Sequence, residues 1–166
     1  MIIRTEAKSD IESIFNLTKL AFESHPYSQT TEQFIINALR TADALTISLV
    51  AEIDDRLVGH IAFSPVTFTD GSENWFGLGP ISVLPDCQRQ GIGTKLVNEG
   101  LNVLKARDAS GCVLVGDPHF YERFGFRSPE GLKYEGVPQE NFFALSFCKK
   151  IPQGAVQFHS AFSATS

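Results

Sequence analysis

At 166 residues, with 43% hydrophobic and 20% charged side chains, the chain has the size and composition of one water-soluble domain. Fourteen Lys and Arg against nineteen Asp and Glu leave a net charge of −5, and no basic run exceeds Lys149-Lys150, which argues against a nucleic-acid partner. Cys112–Val115 and Phe142–Leu145 are the longest apolar runs at four residues, against roughly 20 for a bilayer span. No membrane partner is therefore expected. Met1-Ile2-Ile3-Arg4 runs into charged residues without the apolar stretch of a secretory signal, so a cytoplasmic protein is expected. Cys87, Cys112 and Cys148 are too few and too far apart for a C-x-x-C pair or an even disulfide set, and read as reduced thiols. His25, His60, His119 and His159 never fall at ligand spacing, so no metal is expected.

In chain order, residues 1–4 read as a short strand. Ser9-x-x-Glu12 has the form of a capping box before Ile11, Ile14, Phe15, Thr18 and Phe22 at helical spacing, which predicts a helix over about 9–23. Thr30-x-x-Gln33 repeats the signal before Phe34, Ile35, Ala38 and Leu39. A meander follows: Thr46–Ile53, a turn at Asp54-Asp55, Leu57–Phe68, a turn at Asp70-Gly71, then Trp75–Val83. Gly91–Arg107 is the longest helical pattern, with Leu96, Val97, Leu101 and Leu104 on one face. Cys112–Val115 reads as a buried strand, Pro118–Phe124 as a short helix opened by proline, and Asn141–Cys148 as a last strand. Residues 1–151 form one domain in this reading, and 152–166 a tail that packs on it or extends it.

The chemistry sits in Ile81–Thr94, a strand feeding a glycine-bearing turn that opens a helix. Backbone N–H groups at such a turn point outward along the helix dipole and suit phosphate, and glycine lets the phosphate approach. A dinucleotide fingerprint would need glycine where Leu96 stands, and a P-loop would need Gly-Lys-Ser/Thr where Gly93-Thr94-Lys95 stands. Gln88, Gly91 and Gly93 instead match Gln/Arg-x-x-Gly-x-Gly/Ala. With Val83-x-Pro85 before it and Tyr121-x-x-x-Gly125-Phe126 after it, the stretch resembles the acetyl-CoA signature of the GNAT N-acetyltransferase superfamily. Similarity is greatest to predicted acetyltransferases whose second motif reads as Gly116–Phe126 does and whose chains end near a segment like Phe158–Phe162. Leu114 stands where the family commonly has Asn, so a contact to pantetheine is lost or passes to Asp117.

The resemblance implies an α/β (α+β) fold with a mixed, mainly antiparallel sheet of six or seven strands, splayed between the fourth and fifth and flanked by about four helices. It implies acetyl-CoA as co-substrate, with pantetheine along Ile81, Ser82 and Val83. The diphosphate would lie on the amides of Arg89, Gln90, Gly91, Ile92, Gly93 and Thr94, with Gln88 and Arg89 as side-chain donors and Phe120 and Arg123 nearby. A strand amide near Ile81–Val83 would stabilise the oxyanion, and Tyr121 would serve the departing thiolate. Each role has a plainer counterpart: Tyr121 as core among Phe120, Phe124 and Phe126, Arg123 as a surface cation, Asp117 as a helix cap, His119 as a solvated histidine. Glu52, Glu73 and a water stay open as the base. The acceptor is a primary amine, on a small molecule or a protein, and a homodimer is possible. The competing reading is a non-catalytic CoA-binding module.

Overall fold

The chain is described by a computed structural model over residues 1–26 and 28–166. β1 (Ile2–Thr5), β2 (Ile47–Ile53), β3 (Arg56–Phe68) and β4 (Trp75–Val83) make an antiparallel set, continued by β5 (Gly111–Val115) parallel to β4 and by β7 (Phe142–Ser146) antiparallel to β5. β6 (Leu132–Lys133) pairs with β8 (Gly154–Phe158), which in turn pairs with the far half of β3. Among the described residues the sheet thus has eight strands, one more than the upper expectation, because the sequence reading set no strand after Cys148 and none at 132–133. Their partners are distant in sequence, so no local signal marks them. Among the described residues the helices are α1 (Ile11–Phe22), α2 (Glu32–Thr41), α3 (Ile92–Ala106) and the single turn α4 (Pro118–Tyr121).

Local chemistry sets several boundaries. Asp54 and Asp55 both have positive φ, 50° and 62°, as a two-residue turn of the right twist requires, and so close the β2–β3 hairpin. Neither expected capping box forms. Asp10 accepts the Ala7 N–H at 2.6 Å while paired to Arg4 at 2.7 Å, and α1 starts one residue later. Gln33 donates instead to the Thr30 carbonyl at 3.0 Å, and α2 starts at Glu32.

Both faces of β2 are covered, which is why it carries an apolar run. Leu49 and Ala51 join the main core with Leu96 and Leu101 of α3, and Val50 packs with Ile14 and Ile36 of α1 and α2. The last turn of the chain is equally anchored: Ala161 lies among Ile35, Leu39 and Ala44, and Phe158 stacks on Tyr134 at 4.9 Å between ring centres.

The feature that makes room for a ligand is in β4. Its pairing with β5 covers only Trp75, Gly77 and the residue between them, opposite Gly111–Val113. On its other edge β4 follows β3 from Phe76 to Val83, with one extra residue: Ile61 and Phe63 stand opposite Ile81 and Leu78. This bulge re-aims the last part of β4, which leaves β5 behind.

No helix of the described residues is long and apolar enough to cross a membrane. Nor do they hold a cluster of three or more His, Cys, Asp or Glu placed for a metal.

Candidate active site

Where β4 and β5 part, a cleft of about 670 Å³ opens. It brings together Ile81, Ser82 and Val83 from β4, Gln88, Arg89, Gly91, Ile92, Gly93 and Thr94 from the loop and the start of α3, and Phe120, Tyr121 and Arg123 from the α4 segment. Gln90 is exposed and outside this lining. His25 and Cys87 line the cleft too, and neither was expected there. Cys87 sits within the motif stretch and was passed over as a thiol without a pair. His25 lies in the α1–α2 connection and carries no motif.

The strand edge is available for pairing. Leu84 donates its N–H to Val58 of β3 at 2.9 Å. Backbone polar groups alternate between the two edges of a strand, so those of Ser82 also face β3 and those of Ile81 and Val83 face the cleft. The Val83 carbonyl already has a partner: Gln88 Nε2 donates to it at 3.1 Å, which ties the loop to β4.

α3 begins without a side-chain cap and without an acidic residue in its first turn. Lys95 is the first residue whose N–H returns into the helix, to Gly91 at 3.1 Å, so the amides before it look outward. Gly91 has φ +83° in the left-handed region, and a Cβ there would meet nothing within 4 Å. Conformation rather than space demands glycine here. Arg89 shares the left-handed conformation at φ +63°, which bends the loop about the helix start.

α4 treats its own start differently. Asp117 accepts the His119 N–H at 2.9 Å and Pro118 follows it, so Asp117 is the cap of this turn. Leu114, where an Asn was looked for, is fully buried in the core. The turn delivers Tyr121 into a ring cluster with Phe120 at 4.8 Å and Phe126 at 6.1 Å. Gly116 makes this possible, since a Cβ there would come within 2.3 Å of the ring. Tyr121 is 7% exposed yet borders the cleft. Burial, with Cys112 and Asp117 nearby, pushes its phenol above the ordinary value of 10, so it holds its proton at neutral pH. Arg123 lies over the Phe120 ring at 5.0 Å, a cation on the cleft wall.

Behind β4 the sheet is sealed by a polar line that the sequence did not reveal. His60 stands opposite Ser82 and is fully buried, with Nε2 2.8 Å from Ser48 Oγ. Ser48 is bonded in turn to Glu6, which Arg40 grips through two N–H groups at 2.9 and 3.0 Å. A carboxylate only accepts, so Ser48 donates to Glu6 and His60 donates to Ser48. Burial lowers the His60 pKa to about 4, keeping the ring neutral. Burial acts to raise the Glu6 carboxyl, but the Arg40 and Ser48 bonds outweigh it and hold Glu6 below its usual range.

Neither carboxylate considered as a base reaches the cleft. Glu52 pairs with Arg4 at 3.3 Å, near the β1 edge of the sheet. Glu73 precedes β4, whose cleft end at Ile81 lies six residues beyond Trp75, or about 20 Å along an extended strand.

Comparison with known proteins agrees with this geometry. The family model described as Acetyltransferase (GNAT) family matches residues 10–126. The uncharacterized N-acetyltransferase YhbS of Escherichia coli (strain K12) is 36% identical over 127 residues, which span 76% of this chain and 73% of that protein. A GNAT family acetyltransferase from Brucella melitensis, solved in complex with acetyl-CoA, superposes with TM-score 0.88 at 46% identity over 98% of this chain and 97% of its own. YhbS from Escherichia coli, solved in complex with CoA, gives TM-score 0.89 at 30% identity over 99% and 93%. The overall fold is thus shared along almost the whole chain, and the protein belongs to the GNAT family of N-acetyltransferases.

Proposed function

We propose that this cleft binds acetyl-CoA and transfers its acetyl group directly to a primary amine in a ternary complex. The observation that carries the reading is the coincidence, in one cleft, of an unpaired stretch of β4, an uncapped helix start and a buried phenol. Pantetheine amides pair with the open edge at Ile81 and Val83, as an added strand would. The diphosphate lies against the first amides of α3, where the dipole favours negative charge, with Arg89 and Arg123 as the nearby cations. Attack of the amine on the thioester carbon places negative charge on the carbonyl oxygen, and a β4 N–H facing the cleft stabilises it. The C–S bond then breaks. Tyr121, protonated and aimed at the cleft, gives its proton to the sulfur, so CoA leaves as a thiol and the phenol recovers a proton from solvent.

The acceptor is an amine of a small molecule or a protein. Cys87, Cys112 and Cys148 are all free thiols, which supports a reducing compartment such as the cytoplasm. The test is to incubate the protein with acetyl-CoA and a panel of primary amines and follow thiol release. Amine-dependent CoA release is expected. Tight CoA binding with no release for any amine would instead favour a non-catalytic CoA-binding module.

A further inference from the structure

The reaction needs a group to take the proton that the amine loses as its C–N bond forms, and the cleft narrows the choice. Of the described side chains that line it, none is a carboxylate; the ionisable ones are His25, Cys87, Arg89, Tyr121 and Arg123. Arginine stays protonated, and the Tyr121 phenol is held protonated by burial. Burial and the neighbouring Asp86 push the Cys87 thiol up as well. Of the side chains here, imidazole is the one most often used as a general base.

Position agrees with chemistry. α1 crosses the face of β4 that bears Ser82, where Thr18 Oγ1 lies 3.5 Å from Ser82 Oγ. One turn further, α1 ends, and the chain is folded back by two backbone bonds: the His25 N–H donates to Phe22 at 3.1 Å and the His25 carbonyl accepts from Ser28 at 3.2 Å. The ring rests beside Phe22, 5.9 Å between centres. His25 therefore comes to the cleft from the α1 side of β4, whereas Tyr121 belongs to the cluster on the α3 side.

Resting on the acetyl transfer proposed above, we infer that His25 is the general base of the reaction, with Tyr121 as its acid across the edge of β4. The amine lone pair forms the C–N bond, and His25 takes the N–H proton as nitrogen becomes positive. The carbonyl reforms as the C–S bond breaks, and the sulfur takes the Tyr121 proton. The imidazolium loses its proton to solvent and the phenolate regains one, so the sum is amine plus acetyl-CoA giving amide plus CoA.

The experiment compares wild type with His25→Gln and His25→Ala, using two kinds of nucleophile. n-Butylamine and putrescine become weakly acidic ammonium centres on attack and need a base to remove the proton; hydroxylamine becomes a far more acidic one and gives its proton to water unaided. His25→Gln should lower turnover of the alkylamines by about 10²- to 10⁴-fold, leave hydroxylamine within about threefold of wild type, and keep acetyl-CoA affinity. Free imidazole should restore part of the alkylamine rate in His25→Ala, since the site is open to solvent. Unchanged alkylamine turnover, or an equal loss for both nucleophiles, overturns the assignment. Wild-type protein that acetylates no amine at all removes the proposed function first, and this assignment with it.

Discussion

The two halves of β4 share one strand and differ in what meets their free edge. At Phe76 and Gly77 the strand is paired on both sides, and Trp75, paired with Gly111, packs against Phe68 and Val113. From Ile81 to Val83 it is paired only with β3, and the other edge faces a loop, a helix start and Tyr121. The closed half has satisfied its backbone internally and contributes stability. The open half leaves N–H and C=O groups for a ligand to satisfy, and the bulge opposite Ile61–Phe63 separates the two regimes.

The contrast is broken most severely at the open half by Gly91→Asp. The substitution places a carboxylate against the proposed diphosphate position and puts a side chain on a left-handed φ, so calorimetry should show acetyl-CoA affinity weakened by at least about 100-fold, or about 3 kcal/mol. Gly91→Ala carries the strain without the charge and separates the two causes; equal losses in both variants would assign the effect to backbone alone.

A second test attacks the seal behind the open half. His60 folds with a pKa of about 4 against an ordinary 6.5, so the unfolded chain binds the extra proton between these values. Its contribution is fully present above pH 6.5, drains away as pH falls, and is gone by about pH 4, a loss of about 3 kcal/mol. Loss of Glu6 ionisation should add to this at lower pH. Denaturant midpoints measured from pH 7 to 4 should fall for wild type, and His60→Gln should flatten that slope even if it is less stable at pH 7.

Tyr121→Phe keeps the ring among Phe120, Phe124 and Phe126 and removes only the hydroxyl. Turnover should fall by about ten- to several-hundredfold with acetyl-CoA affinity unchanged, since the bond to sulfur develops in the transition state. Normal turnover with a lowered melting temperature would move Tyr121 into the closed, structural class.

The smallest effect is expected at the closed half. A Cβ at Gly111 would come within 2.5 Å of the Trp75 ring and 2.7 Å of the Leu145 carbonyl, so Gly111→Ala should cost about 1–3 kcal/mol of stability in a melt. CoA affinity of the folded fraction should not change. Weakened binding there would show that the two halves are coupled rather than independent.

Much of the site was legible because its hydrogen bonds close within a few residues. Gly91 and Gly93 before an apolar helical stripe, Asp117-Pro118 before a turn of helix, and Asp54-Asp55 between two strands each specify a backbone path locally. That is enough to place Tyr121 and the α3 amides beside a strand end. The bond from Gln88 to Val83 was hidden for the opposite reason, since its acceptor is a carbonyl on a strand that a pattern of residue types does not position.

What the sequence by itself determined, then, is the chemistry of each segment: a glycine-bearing helix start, a phenol in an aromatic turn, and strands whose alternation demands a covered face. Only the tertiary structure decided which edge of β4 stays open, because alternation along a strand does not name its neighbour. It also decided that Ser48, at 42 residues from Glu6 and 12 from His60, completes a buried polar line, and that His25, exposed and without a motif, comes to the cleft. Such contacts depend on long loops closing around a shared core, and their stabilisation is collected only once the whole sheet is assembled.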